Sequence, residues 1–378
     1  MPITIVGLGP GDPALLTRAA WEALAGADEI VLRTGRHPTV AALPAGVAIR
    51  TFDDLYEQAE AFEAVYERIA EEIVRLADRP QGVLYAVPGH PLVGEGSVTR
   101  ILARARESGQ PVTLVAGLSF IEPVLSLLER DALDGLQILD ATDVARLHHP
   151  PLNSDVPALL AQLYSRELAG DVKLTLLNLL PPEHELTLIQ AAGAWGTLVE
   201  HMPLHELDHE RPLWSTAPHL TSLFVPALPA TSSCAGLAET VARLRAPGGC
   251  PWDREQSHQS LRSELLEEAY EVLAALDADD PDALREELGD LLLNVLMQVQ
   301  IAVEGGEFSL AEVIAQIDAK LKRRHPHVFG DTVVANLEEL LANWERIKHA
   351  ERAAQPERRE RSLLAGIPLA LPALAQAQ

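Results

Sequence analysis

The sequence predicts a multidomain protein, with an open α/β half followed by an all-α helical bundle. Three observations carry that expectation. Short β-branched runs alternate with longer helical patterns up to about residue 229. From Gly236 onward the strand signals nearly vanish and amphipathic helical patterns take over. Between them "VPALPATSSCAG", residues 225–236, has the Pro, Ser and Thr content of a linker. The expected bounds are 1–228 for the first domain, 229–236 for the linker and 237–378 for the second. A chain of 378 residues with 47% hydrophobic content supplies cores for two or three domains.

Along the first half the expected order is a strand at "ITIVGLG", a helix near 15–25, a strand at "EIVLRT" and a helix near 55–76. A strand at "GVLYAVPG", a helix over 97–107 and a strand at "VTLVAG" follow. Several of these strands end in glycine-containing loops. "GLGPGDP", residues 7–13, places Gly7, Gly9 and Gly11 as GxGxG, whereas a dinucleotide fingerprint needs its last glycine where this chain has Asp12. A carboxylate there suits a neutral or cationic ligand better than a pyrophosphate. "VLYAVPGHP" and "VTLVAGLS" end similarly, and loops at the carboxyl ends of strands line the ligand crevice of open α/β folds. Each loop taken alone also reads as an ordinary turn.

Together and in this order the three loops resemble the tetrapyrrole methylase family, as do "DGLQILDA" at 134–141 and "HLTSLFVPAL" at 219–228. That resemblance covers about residues 2–228. It implies two α/β subdomains with S-adenosylmethionine in the cleft between them, near Gly7, Gly9, Gly11, Pro88, Gly89, Ser119 and Ala141. One departure is Gly89-His90-Pro91, where many members have Gly-Asp-Pro. The sequence names no methyl acceptor.

In the second half the expected helices are 257–275, 281–303, 310–323 and 337–354. The stretch "EELGDLLLNVLMQ", residues 286–298, is apolar nearly all round yet carries Glu287, Asp290, Asn294 and Gln298. At about 100° per residue these four occupy one stripe roughly 80° wide. So narrow an acid-amide stripe points to polar groups facing something specific inside a bundle. On the preceding helix Glu264, Glu267, Glu268 and Glu271 form a second stripe about 100° wide. Alone it also reads as a solvated acidic face. Its like charges repel by a few tenths of a kcal/mol per pair, and a hard cation would relieve them. Four or five oxygen donors from two antiparallel helices suit Mg²⁺ and its retained waters.

The ordered set Glu267-Glu268-x-x-Glu271 and Glu287-x-x-Asp290, with "GGCPWDREQSHQSL", "KLKRRHPHVFGD", "NWERIK" and "SLLAGIPLALPAL", resembles the MazG-type nucleoside triphosphate pyrophosphohydrolases. The match spans 248–374. It implies hydrolysis of nucleoside triphosphates to monophosphate and pyrophosphate, with a metal on Glu268, Glu271, Glu287 and Asp290 and water activation by Glu267. Lys320, Arg323 and Arg324 would add positive charge, though basic residues at a helix C-terminus also serve its dipole. By the same resemblance Trp344 and Lys348 form a base-stacking and phosphate-binding pair. Trp252 reads as a core anchor or a nucleotide contact, and Asn294 as a sugar contact or a hydrogen bond within the bundle. His325 and His327 read as structural. Longer members of that family continue beyond "LPALAQAQ" into a second helical unit, and this sequence stops there.

The net charge of −25 opposes nonspecific binding to nucleic acid or to anionic membrane. No apolar run reaches the roughly 18 residues of a membrane span, and "MPITIVGLGPGD" lacks the basic start of a signal peptide. Cys234 and Cys250 could pair but make no disulfide framework, so a cytoplasmic setting is expected. A homodimer is expected as well, because a hairpin of two greasy helices needs more apolar cover than one bundle supplies. Two other readings compete with a pyrophosphohydrolase: a methyltransferase whose helical half is a dimerisation or regulatory module, and a noncatalytic ligand sensor.

Overall fold

The computed structural model describes residues 2–58, 62–215 and 220–353. The chain divides into two compact units, Met1–Gly236 and Leu237–Gln378.

The first unit opens with β1 (Ile3–Gly7), α1 (Arg18–Ala25), β2 (Glu29–Leu32), β3 (Ala48–Thr51), α2 (Asp53–Gln58) and α3 (Phe62–Leu76). It continues with β4 (Val83–Val87), α4 (Gly96–Ser108), β5 (Val112–Val115) and α5 (Ile121–Leu128). The five strands form one parallel sheet in the order β3-β2-β4-β1-β5. Its central strands β1 and β4 are buried almost throughout, as a parallel sheet covered on both faces requires. Ile3, Ile5, Tyr85 and Val87 pack on Ile69, Ile73 and Ile101 from α3 and α4, while Val6, Leu32 and Ala86 pack on Ala20 and Leu24 of α1.

The first unit ends with β6 (Gln137–Asp140), α6 (Ala141–Ala145), β7 (Ala158–Ala161), α7 (Arg166–Leu176), β8 (Glu185–Gln190), β9 (Leu198–Pro203) and β10 (Thr221–Val225). These strands make a second sheet, β6-β7-β10-β8-β9, in which only the β6–β7 pair is parallel. The two sheets agree with the two α/β subdomains expected, and the mixed pairing of the second is a feature that alternation of strands and helices does not specify. β8 and β9 are joined by the short connection 191–197, and such a connection allows the antiparallel pairing they adopt.

The segment expected to be a linker is tied to the first unit. Asp155 accepts hydrogen bonds from Ser232 N at 2.7 Å and Ser233 N at 3.1 Å, and Leu228 N donates to Ser154 O. Cys234 and Cys250 are both free thiols.

Every regular element among the second unit's described residues is a helix: α8 (Cys234–Arg245), which begins at the end of the first unit, α9 (Pro251–Glu255), α10 (Arg262–Asp277), α11 (Pro281–Gly305), α12 (Leu310–Arg324), α13 (Pro326–Phe329) and α14 (Leu337–Ala353). α10 starts later than the pattern placed it, because residues 257–261 form turns before the helix. The short link 278–280 folds α10 back along α11. Asp280 caps α11 by accepting from Asp282 N and Ala283 N, Pro281 follows where its missing N–H costs nothing, and Gly306 ends the helix at φ 68°. Ser309 and Glu312 form a capping box on α12. Val241, Leu261, Leu296 and Met297 are the buried centre of this unit. No helix among the described residues is long and apolar enough to cross a membrane. The motif "SLLAGIPLALPAL" and the tail "LPALAQAQ" lie outside the described residues.

In the first sheet the loops after β1, β4 and β5 meet backbone to backbone. A Cβ on Gly7 would stand 2.5 Å from Gly89 O and 2.6 Å from Gly117 N. Gly7→Ala is therefore expected to cost about 1–3 kcal/mol through overpacking, read as a lower thermal unfolding midpoint, whereas Gly289→Ala, inside α11 with no atom within 4 Å of its Cβ position, meets no such clash.

Candidate active site

The hairpin of α10 and α11 brings carboxylates together. Glu268, Glu287 and Asp290 each offer an oxygen, and these oxygens all lie within 4.8 Å of one another. Glu268 and Glu287 are half-buried, whereas Asp290 is exposed, so the stripe is not the buried set that the greasy helix suggested. Among the described residues no Lys, Arg or His pairs with any of them. Burial between the helices, followed by the charges of Asp290 and Glu271, pushes the Glu268 carboxyl above its ordinary range. Glu287 is pushed up as well, by desolvation and then by Glu271, Glu286 and Asp290. Such a set fits a hard divalent cation, which would add the missing positive charge and take oxygen ligands. Glu271 acts on Glu268 by charge and by a side-chain hydrogen bond. Glu267 is exposed and makes no hydrogen bond or ion pair among the described residues.

The remainder of the polar stripe turns to other tasks. Asn294 is buried, and its Nδ2 donates to the Asp290 carbonyl at 3.3 Å, one turn back along α11. Gln298 bonds His258, whose Nδ1 lies 2.6 Å from Gln298 Oε1. Both amides are thus engaged within the unit.

The basic residues divide. Arg323 Nε and Arg324 Nη2 donate to Glu351 of α14 at 2.7 and 2.6 Å, and those bonds, Arg324's foremost, hold the Glu351 carboxyl down to about 2. Lys320, half-buried on α12, forms no ion pair among the described residues. Lys348 Nζ sits 4.0 Å from the centroid of the Trp344 ring and 3.0 Å from Glu345, joining the two residues that the sequence paired. The Trp344 indole N–H is buried with no acceptor among the described residues. Trp252 is 53% exposed and so is no core anchor. His325 Nδ1 bonds the Leu321 carbonyl, consistent with a structural role.

Sequence reasoning missed Arg245, His258 and Glu351, which hold the helices in place. Arg245 bonds Glu304, and such distant pairs leave no periodic signal. Glu351 could have been suspected as the acid facing a run of basic residues.

In the first unit the glycine loops after β1 and β4 are joined backbone to backbone. Gly9 and Gly89 exchange backbone hydrogen bonds, Gly9 N to Gly89 O at 3.3 Å and Gly89 N to Gly9 O at 2.8 Å. Gly9, Gly11 and Gly89 have φ of 73°, 143° and 66°, and the Cβ position of Gly89 faces no atom within 4 Å. Pro88 precedes it, half-buried, at the end of β4. Asp12 caps its own turn, accepting from Ala14 N, and its backbone N–H donates to the carbonyl of Gly193 in the connection between β8 and β9. Ser119 is engaged at the start of α5, donating to Glu122 Oε2 at 2.6 Å and accepting from Ile121 N. Ala141 is buried as the first residue of α6. The two sheets meet where a Cβ on Gly94 would lie 3.6 Å from Gln162 Nε2, whose amide donates to Asp140. Gln162 and Ala191, just past β7 and β8, hold left-handed φ of 62° and 55°, uncommon for non-glycine residues.

Comparison with known proteins adds two family matches. The model of the tetrapyrrole (corrin/porphyrin) methylases matches residues 2–208, and that of the MazG nucleotide pyrophosphohydrolase domain matches residues 256–329. The uncharacterized protein YabN of Bacillus subtilis is 40% identical over 384 residues, spanning 99% of this chain and 75% of that one. The nucleoside triphosphate pyrophosphohydrolase of Escherichia coli K12 is 48% identical over 143 residues, 38% of this chain and 53% of its own length. Among solved structures, uroporphyrin-III-C-methyltransferase from Thermus thermophilus is 25% identical with a TM-score of 0.46, covering 59% of this chain and 93% of its own.

Because Glu268 and Glu287 sit above the ordinary carboxylate range, the folded chain holds protons there that the unfolded chain releases. Their contribution to stability therefore falls as pH rises out of that range. Relative to a Glu268→Gln/Glu287→Gln variant, the metal-free wild type is expected to lose thermal stability as pH rises through and above the ordinary carboxylate range. Mg²⁺ is expected to restore it at the higher pH in the wild type only, as read from unfolding midpoints.

Proposed function

We infer that this chain, which belongs to the tetrapyrrole (corrin/porphyrin) methylases and carries a MazG nucleotide pyrophosphohydrolase domain, hydrolyses nucleoside triphosphates to monophosphate and pyrophosphate in its helical unit. The observation that carries this reading is the convergence of Glu268, Glu287 and Asp290 with no cationic side chain among the described residues to neutralise them. The similarity to a nucleoside triphosphate pyrophosphohydrolase supports it at the level of the domain, since it spans about half of that relative.

Glu268, Glu271, Glu287 and Asp290 would hold Mg²⁺, which when bound supplies charge neutralisation to the phosphates. Glu267, exposed and with no partner among the described residues, takes the proton of the attacking water. The water oxygen bonds to phosphorus, the bridge between the α and β phosphates breaks, and pyrophosphate leaves with the bridging electron pair. Lys320, which forms no ion pair among the described residues, offers its ammonium to the phosphates, while Arg323 and Arg324 do so only on leaving Glu351. Trp344 under Lys348 presents an aromatic face to a base, with Trp252 a second exposed ring and Asn294 a buried amide behind Asp290.

The exposed apolar residues Leu266, Leu273, Leu288, Leu292 and Val295 on α10 and α11 support a homodimer that covers them. In the first unit, the open space over Gly89 and the left-handed glycines around it support S-adenosylmethionine binding, with the methyl acceptor unassigned. Calorimetric titration of S-adenosylhomocysteine tests that site, and an absence of binding heat for the wild type would remove it.

Incubation with each ribo- and deoxyribonucleoside triphosphate and Mg²⁺ is expected to yield monophosphate and pyrophosphate. Asp290→Asn is expected to lower kcat by on the order of 100-fold or more, since metal-borne stabilisation of several kcal/mol is at stake. Orthophosphate as the product, or full activity in the variant, would sink the assignment.

A further inference from the structure

The helical unit contains a buried guanidinium that the hydrolytic chemistry leaves unused. Arg245 ends α8 with its side chain 5% exposed. Its Nε and Nη2 donate to Glu304 of α11 at 2.9 and 2.7 Å. Its Nη1 donates to the carbonyls of Asp253 and Gln256, the latter at 3.2 Å. Those carbonyls close α9, the short helix that carries Trp252, and a cation at that end also complements the helix dipole.

The backbone on either side is fixed as well. Gly248 turns at φ 89°, Gly249 N bonds Ala246 O at 2.8 Å and Cys250 N bonds Leu244 O at 2.8 Å. A Cβ on Gly249 would overlap the carbonyl oxygens of Leu244 and Arg243, so the turn into α9 admits only glycine there. Downstream, His258 bonds Gln298. The turn, α9 and the following loop are thus fastened at two points, Glu304 and Gln298, to the C-terminal half of the helix whose N-terminal half bears Glu287 and Asp290. A tryptophan held so firmly would ordinarily be packed into the core, yet Trp252 stands 53% exposed. Rigid support under an exposed aromatic ring is what a recognition contact needs, because its ordering is completed before the ligand arrives.

We propose that Arg245 is a positioning residue that acts through α9 to fix Trp252 against α11, the helix that bears Glu287 and Asp290, as a contact for the base of a nucleoside triphosphate. The proposal rests on the hydrolase reading above. A base contact remote from the reacting phosphorus contributes equally to ground and transition states, so its loss raises KM and leaves kcat in place.

The test is steady-state pyrophosphate release by the full chain with Mg²⁺, beside calorimetric binding of a nonhydrolysable α,β-imido triphosphate. The variants are Arg245→Met, Arg245→Lys, Trp252→Ala and the double variant Arg245→Met/Trp252→Ala. Arg245→Met is expected to raise KM about tenfold with kcat within about threefold. Arg245→Lys, whose ammonium still reaches the α9 carbonyls, is expected to recover part of the difference. The double variant is expected to be no worse in KM than Trp252→Ala alone, because both changes remove one contact. A purely structural Arg245 would instead lower the unfolding midpoint without this coupling, and additive effects on KM, or an unchanged KM in a folded Arg245→Met, overturn the positioning role. Should Arg245→Met fail to fold, the same cycle run with Arg245→Lys decides: a KM increase that vanishes in the Trp252→Ala background supports the role, and one that persists overturns it. A wild type that turns over normally keeps the hydrolase reading intact in either case. A wild type that neither releases pyrophosphate nor binds the analogue overturns that reading and the positioning role together.

Discussion

Carboxylates forced to face one another across α10 and α11 are the constraint around which the helical unit is organised. Left to themselves, Glu268, Glu271, Glu287 and Asp290 would push the hairpin apart. The opposing forces are spread along the rest of the unit: the tight link at 278–280, the Asp280 and Gly306 caps, the buried cluster around Leu296 and Met297, and the Arg245–Glu304 clamp. Each of these is ordinary on its own. Acting together they hold charge where a soluble helix pair would not otherwise keep it, and stored repulsion of that kind is commonly a sign of function.

Much the same division of labour appears in the α/β unit, with backbone contact in place of charge. Gly7, Gly89 and Gly117 bring three loops to distances that any side chain would prevent. The apolar layers on both faces of the first sheet hold those loops together, and connections of the second sheet reach the same region through Gly193 and Gln162. A strongly packed scaffold carries a small, closely fitted region in both units.

Helices α11, α12 and α14 were legible in the sequence nearly to the residue, because periodicity, proline, glycine and capping residues are local signals. The Glu and Asp stripes were legible for the same reason, since spacing along a helix fixes which residues share a face. The mixed pairing of the second sheet was not, because strand order depends on contacts between β7, β8 and β10 that are far apart in the chain. Nor was the engagement of Arg323 and Arg324 by Glu351, or of Gln298 by His258. A residue type announces what it can bond to but not which of many partners reaches it.

The sequence by itself determined the two-part character of the chain, the glycine loops after the strands of the first sheet and the two acidic faces, all of which follow from composition and short-range spacing. Only the tertiary structure decided that Glu268, Glu287 and Asp290 converge within 4.8 Å, that Asp290 is exposed while Asn294 is buried, and that one buried arginine ties the Trp252 helix to α11. Those facts depend on how helices cross and which surfaces they bury, and that is settled by packing between residues distant in sequence.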